Sequence, residues 1–69
     1  MARVLLGVKE MNKAEAVEDV KQTLLAVEGI EFVEARLDGQ ATVDYDPSDL
    51  TIMDILRALR KRGFVAGMV

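Results

Sequence analysis

The polar stretch KEMNKAE, which follows the first apolar run, holds the side chains best suited to chemistry in this chain. Glu10 and Glu15 could supply carboxylate oxygens to a divalent cation, and Asp19 lies one helical turn further on. Met11 could add a thioether sulfur. Lys13, however, would place an ammonium group beside any bound cation and repel it. We therefore interpret the carboxylates as capping or solvated groups and Met11 as a core residue.

A second pair of carboxylates flanks the only tyrosine, in the run Asp44–Tyr45–Asp46. Paired carboxylates can perform acid–base catalysis, but the sequence indicates neither a pocket nor a third group to assist them. The chain has no cysteine and no histidine, which excludes disulfides, thiolate or imidazole metal ligands and the usual nucleophile–base pairs. We expect no catalytic residue, no tightly bound cofactor and no enzymatic activity.

The charge and hydropathy of the chain limit the classes of partner that it is expected to bind. Its 69 residues carry a formal net charge of −3, whereas nucleic-acid-binding domains are usually basic. No apolar run approaches the roughly 20 residues that cross a bilayer. We therefore expect no nucleic-acid partner, no membrane insertion and a cytoplasmic location. Charge is nevertheless uneven, because the predicted helical segment 12–28 is mainly acidic and the segment 49–62 is mainly basic.

Alternating apolar residues predict the strands of the sheet. In RVLLGVK, the side chains of Val4, Leu6 and Val8 would share one face. Alternation returns at 30–37, with Val33, Ala35 and Leu37 on one face, and at 40–46, with Ala41, Val43 and Tyr45 facing inward. Asp38–Gly39 between these runs predicts a tight hairpin in which both residues adopt positive φ, and Pro47 would end the later strand. The terminal FVAGMV is assigned to a last strand.

The first helix is predicted from apolar residues at steps of three and four, which are Val17, Val20, Leu24 and Val27. Asn12 would be its N-cap, with Glu15 completing a capping box and Lys13 at the first helical position. Gly29 would end it.

The second helix is predicted to begin at Thr51, with Asp54 in its capping box and Leu50 stapled against Ile55. Its apolar face comprises Ile52, Ile55, Leu56 and Leu59, and its C-terminal end is cationic before Gly63. The order β-α-β-β-α-β with right-handed crossovers predicts a single domain over residues 1–69. Its fold class is α+β: a ferredoxin-like sandwich, with a four-stranded antiparallel sheet and two helices on one face.

The chain resembles the heavy-metal-associated domains of copper chaperones and of metal-transporting P-type ATPases. EMNKAEAVEDV is similar to the family's G-M-x-C-x-x-C loop and helix. LAVEGIEFVEARLDGQATVDYDP resembles its L-x-x-x-G-V-x-x-V-x-V-x-L-x-x-x-x-V-x-Y-D-P stretch. LTIMDILRALRKRGF resembles its V-S-x-x-x-I-x-x-A-I-x-x-x-G-F segment. The match runs nearly end to end.

The resemblance implies a metal-binding scaffold whose two cysteines hold a soft ion such as Cu(I). The matching positions here are Lys13 and Ala16, and the family's loop glycine is Glu10. Met11 matches a residue that packs in the family's core, and Phe64 matches one that lies opposite the metal loop, where we interpret it as a core residue. The resemblance therefore carries over the scaffold without its metal ligands.

Two classes of function follow, and both lack enzymatic chemistry. The first is a protein-interaction or regulatory module linked to heavy-metal handling, since family members dock through complementary charge around the loop. Docking would involve a protein partner or self-association through the charged helix faces. The candidate interaction residues are Glu10, Met11, Asn12, Lys13, Glu15 and Phe64.

The second class is a small-molecule-sensing regulatory domain of the same fold. It ranks lower because such modules usually place a glycine-rich turn where this chain has KEMNKAE. Weak binding of a divalent metal by non-thiolate ligands, within a metal transport system, is a third alternative.

Overall fold

A computed structural model describes residues 1–69 as four strands and two helices in the predicted order. The elements are β1 (Ala2–Val8), α1 (Ala14–Leu25), β2 (Ile30–Ala35), β3 (Gln40–Tyr45), α2 (Ile52–Lys61) and β4 (Ala66–Met68). The strands form one sheet in the order β2-β3-β1-β4, and every neighbouring pair is antiparallel. Both β2 and β4 are therefore edge strands. The ferredoxin-like prediction is confirmed, and no helix is long and apolar enough to span a bilayer.

Alternation along the strands produces the buried face of the sheet. Val4, Leu6 and Val8 point into the core from β1, as predicted. The inward residues of β3 are also buried, and they include Tyr45. Both helices cover this face with apolar side chains, of which Val20 and Leu24 in α1 are fully buried, as are Ile55 and Leu59 in α2. No polar or charged residue is buried, so one aliphatic core holds the elements together.

Helix α2 begins as its sequence predicts. The Thr51 hydroxyl accepts a hydrogen bond from the Asp54 backbone N–H at 3.3 Å, and the Asp54 carboxylate accepts one from the Thr51 N–H at 2.9 Å. Leu50 and Ile55 are both buried on either side of this cap. The reciprocal bonds satisfy two amides that a helix start leaves without partners. They also hold the pKa of Asp54 below its usual value, mainly through the Thr51 backbone N–H.

Helix α1 begins one residue later than predicted. Its N-cap is Lys13 in an extended conformation, and no side chain caps it, so the prediction of an Asn12–Glu15 capping box is wrong. In the observed register the third helical position belongs to Ala16, which cannot form such a box. The helix also ends earlier, at Leu25.

The connections before and after β2 differ from prediction in three details. Gly29 has φ +98° and lies immediately before β2 rather than at the helix end. In the hairpin, Gly39 has a positive φ but Asp38 does not, because the Gly39 N–H bonds the Arg36 carbonyl and the turn centres on Leu37 and Asp38. Leu37 consequently lies outside β2 and is exposed. Strand β2 also carries an irregularity in its pairing with β3, between residues 30 and 32.

Candidate functional site

The loop between β1 and α1 is anchored at both ends. At its start, the Lys9 N–H donates to the carbonyl of Val65 at 2.9 Å, which places the segment before β4 beside the loop. Two residues later, Met11 is 1% exposed and belongs to the core. Met11 therefore fixes the loop from inside, and it has no surface to offer a partner. The remaining loop residues, Glu10, Asn12 and Lys13, are exposed and line a shallow polar depression.

Glu10 adopts a backbone conformation that glycine prefers. Its φ is +64°, and it is the only residue other than glycine with a positive φ. A side chain in this left-handed region costs about 1–2 kcal/mol. The resemblance places Glu10 at the position of the family's loop glycine, the residue that adopts this conformation at least cost. The anchors at Lys9 and Met11 hold this conformation in place.

The two positions that match the family's cysteines cannot bind a soft metal. Lys13 is exposed and ends in an ammonium group, which offers no lone pair when charged. Ala16 is half-buried, and its methyl group packs against the core. The only nearby sulfur belongs to Met11, inside the core. The donor set thus does not fit a two-coordinate thiolate site.

The carboxylates of this region are not assembled into a hard-metal site either. No group of three or more acidic side chains lies in an arrangement that could hold a metal ion, so Glu10, Glu15 and Asp19 are not brought together. Asp19 is engaged elsewhere, because its Oδ1 accepts hydrogen bonds from Arg62 at 2.8 Å and from the Thr23 hydroxyl at 3.4 Å. Glu15 is exposed in the first turn of α1.

The N-terminal end of α1 leaves its amides open to solvent. The first helical hydrogen bond runs from the Val17 N–H to the Lys13 carbonyl, and no side chain caps the end. The N–H groups of residues 14–16 consequently have no protein partner. These amides, the helix dipole and the Lys13 ammonium contribute positive charge at this end of the molecule, and the carboxylates of Glu10 and Glu15 oppose it.

The charged helix faces are partly paired within the chain. Arg62 near the end of α2 bonds Asp19 of α1 at 2.8 Å and so joins the two helices. Arg57 lies 4.0 Å from Asp54 on the same helix. The cations at Lys13, Arg60 and Lys61 form no ion pair. The unpaired cations are therefore the ones available to a partner.

The carboxylates around Tyr45 are structural. Arg3 donates two hydrogen bonds to Asp44, at 2.7 and 3.1 Å, and this lowers the pKa of the Asp44 carboxyl. Asp46 accepts a hydrogen bond from the Ser48 N–H at 2.9 Å in the turn that follows β3. Tyr45, which lies between these two acids in the sequence, is buried in the core. Both acids thus already have partners within the fold.

Phe64 is half-buried against the core, as we inferred, but it also faces a second feature. It lines a groove between α2 and β4 of about 280 Å³, together with Met53, Leu56 and Val65 and with two arginines. Sequence reasoning missed this groove because its members come from separate elements. One sequence feature could have indicated an exposed apolar surface: Met53 interrupts the polar side of α2, and it is 57% exposed.

Comparison with known proteins identifies the scaffold. The family model for the heavy-metal-associated domain matches residues 7–64. A crystal structure of a copper-binding domain from HMA7, a P-type ATPase, is 27% identical, with a TM-score of 0.95 over 100% of this chain and 95% of that one. No curated protein sequence matches the chain.

Two further structures share the fold at lower identity. Oxidized MerP from Ralstonia metallidurans CH34 is 24% identical, with a TM-score of 0.91, and the match covers 97% of this chain and 94% of that one. The CopZ metallochaperone is 22% identical, with a TM-score of 0.89, and the match covers 96% of this chain and all of the other. These likenesses extend over the whole of the sheet and both helices.

Proposed function

Because the chain belongs to the heavy-metal-associated domain family, we propose that it is a non-enzymatic protein-interaction or regulatory module of cytoplasmic heavy-metal handling. In this proposal the domain docks to a protein through its loop and charged surfaces and does not carry a metal ion itself. Its structural relatives include a copper-binding domain of a P-type ATPase and a metallochaperone. A module of this kind would act beside such proteins.

One observation carries the proposal. The loop has a left-handed turn at residue 10, a buried methionine and a helix start, while an ammonium and a methyl group occupy the positions that match the family's ligands. A domain that has the family's fold but lacks the metal ligands is suited to recognition by shape and charge.

The chemistry of docking follows from the charges at the loop. Lys13 has no ion-pair partner, and the amides at the start of α1 are unpaired, so an acidic surface of a partner protein would complement this end. An exposed contact of this kind contributes no more than about 1 kcal/mol per pair and weakens as salt increases. The resulting complexes would be transient and salt-sensitive.

A metal titration tests the part of the proposal that concerns metal. We expect the protein not to withdraw Cu(I) from a competing chelator of sub-micromolar affinity, and not to retain Zn²⁺ or Ni²⁺ under the same competition. Stoichiometric transfer of any of these ions to the protein would overturn the proposal, because the domain would then be a metal carrier.

Charge reversal at the loop tests the docking. Lys13→Glu should weaken self-association measured by sedimentation at low ionic strength, and the difference should vanish at high ionic strength. Lys21→Glu is the matched control, since Lys21 is also an exposed lysine of this region but lies within α1 rather than in the loop. If the protein does not self-associate, or if Lys13→Glu leaves self-association unchanged, affinity capture with the wild-type and Lys13→Glu proteins is the next test. A partner captured by the wild type and lost in Lys13→Glu would support docking of another protein at the loop. Equal capture by both proteins would refute a role for the loop.

A further inference from the structure

The groove between α2 and β4 combines an apolar floor with a cationic rim. Its apolar lining comprises Met53, Leu56, Phe64 and Val65, and its rim carries Arg57 and Arg60. Met53 and Val65 are each more than half exposed although they are large apolar side chains. At about 280 Å³ the groove has room for one or two side chains rather than for a large cofactor.

Strand β4 presents free backbone groups beside this groove. The Lys9 N–H donates to the Val65 carbonyl and the Val69 N–H donates to the Leu5 carbonyl, so the odd-numbered residues of segment 65–69 direct their backbone groups toward β1. In an antiparallel ladder the alternate residues direct their N–H and C=O groups to the other side. Ala66 and Met68 therefore turn their backbone groups away from the sheet, on an edge that nothing covers.

The rim arginines are largely unneutralised. Arg60 forms no ion pair, and Arg57 has only the 4.0 Å contact with Asp54. Both side chains are exposed and lie one helical turn apart on α2, which packs on the same face of the sheet as α1. A second copy docked symmetrically, edge to edge at β4, would bring these arginines toward their counterparts. Like charges disfavour that arrangement and favour an acidic occupant.

We propose that this groove binds an extended acidic segment of a partner protein, which adds as a fifth strand to β4. Alternate residues of an added strand would face the helices. One apolar side chain would enter the groove, and acidic side chains two residues away would meet Arg57 and Arg60. The inference rests on the proposed function as an interaction module, but it uses a surface separate from the exposed depression of the β1–α1 loop.

A synthetic peptide tests the proposal directly. The probe is the acetylated, amidated peptide TETLTET, in which leucine and both glutamates share one face whichever way the strand runs. Titration into ¹⁵N-labelled protein should shift the amide signals of Ala66 and Met68 and slow their hydrogen exchange. The peptides TKTLTKT and TETSTET should bind at least about fivefold more weakly. The first places cations against Arg57 and Arg60, and the second removes the apolar side chain that enters the groove.

Variants of the protein provide the second arm. Arg60→Glu should weaken binding of TETLTET by about fivefold or more, whereas Lys21→Glu, the same charge change on the other helix, should leave it unaltered. Circular dichroism establishes that each variant is folded. Equal binding of all three peptides, or no binding of TETLTET, would overturn the proposal.

The location of the shifts separates this proposal from the loop proposal. Shifts confined to residues 10–16 would refute the groove and support docking at the loop. Shifts in the groove with an unresponsive loop would support strand addition even if Lys13 has no role. Binding of octanoate in the groove, with no protection of the β4 amides by the peptide, would identify a small-anion pocket and would also overturn the proposal.

Discussion

Replacement of Gly29 by alanine should destabilise the fold more than the same change at any glycine with free space around it. A Cβ atom on Gly29 would overlap the side chain of Leu50 and lie 2.9 Å from Cβ of Asp49. The residue also has φ +98°, which disfavours any side chain. Gly29→Ala thus combines backbone strain with overpacking against the buried residue that precedes α2.

Gly63→Ala is the matched control because it isolates the free-energy cost of placing a side chain at a positive φ. Gly63 has φ +89°, yet an added Cβ would meet no atom within 4 Å. Left-handed strain costs about 1–2 kcal/mol, and the stiffer unfolded chain returns about 0.4–1 kcal/mol, so Gly63→Ala should lose about 1 kcal/mol. Overpacking adds about 1–3 kcal/mol, which gives a loss of about 2–4 kcal/mol for Gly29→Ala.

Urea unfolding of both variants measures this difference, and a thermal scan should show it as well. At about 4–8 °C per kcal/mol for a domain of this size, Gly29→Ala should melt at least about 8 °C below the wild type. Equal losses in the two variants would refute the reasoning, because the contact with Leu50 would then relax at no cost. A double-mutant cycle with Leu50→Ala should show coupling, since removal of the Leu50 side chain relieves the overlap.

Three further predictions follow from the helix starts and the loop. Thr51→Ala should cost about 1 kcal/mol of unfolding free energy because it removes a formed cap, whereas Asn12→Ala should cost almost nothing, and urea unfolding compares them. Since the pKa of Asp54 is lowered by folding, its contribution to stability is complete above the ordinary carboxyl pKa of 3.8 and is lost as pH falls through the folded value. The urea midpoint should therefore decline less below pH 4 in Asp54→Asn than in the wild type, and an equal decline would contradict this. Lys13→Cys combined with Ala16→Cys should bind one Cu(I) under chelator competition, because the helix start lowers the thiol pKa, whereas a folded double variant that binds none would show that the loop no longer fits a metal.

Local sequence signals predicted most of the fold. The alternation of Val4, Leu6 and Val8 and the Thr51 capping box act within a few residues, so they are legible without the tertiary structure. The start of α1 differs from the prediction by one residue: local capping rules favour Asn12, whereas the helix begins after Lys13, two residues beyond the buried Met11.

The candidate loop could be predicted from the sequence, but the groove between α2 and β4 could not. The identity of residues at the ligand positions could be read directly from the resemblance, whereas the positive φ of Glu10 required the backbone. Met53 of α2 and Val65 before β4 are 12 positions apart in sequence and meet only after the sheet has formed. Such surfaces have no periodicity or motif of their own, so pattern analysis cannot find them.

The irregular pairing of β2 makes the two ends of the sheet unequal. Its pairing with β3 shifts register between residues 30 and 32, and irregularities of this kind increase the local twist of a strand. The exposed Glu31 adds a charge to this edge, and Glu34 beside it is paired with Arg36. An approaching strand would meet an irregular, charged edge at β2, in contrast to the open edge at β4. The domain would therefore have a valence of one for sheet extension, at β4. Under the proposed strand addition at β4, a complex would therefore contain one added strand, and the sheet would not extend further from β2.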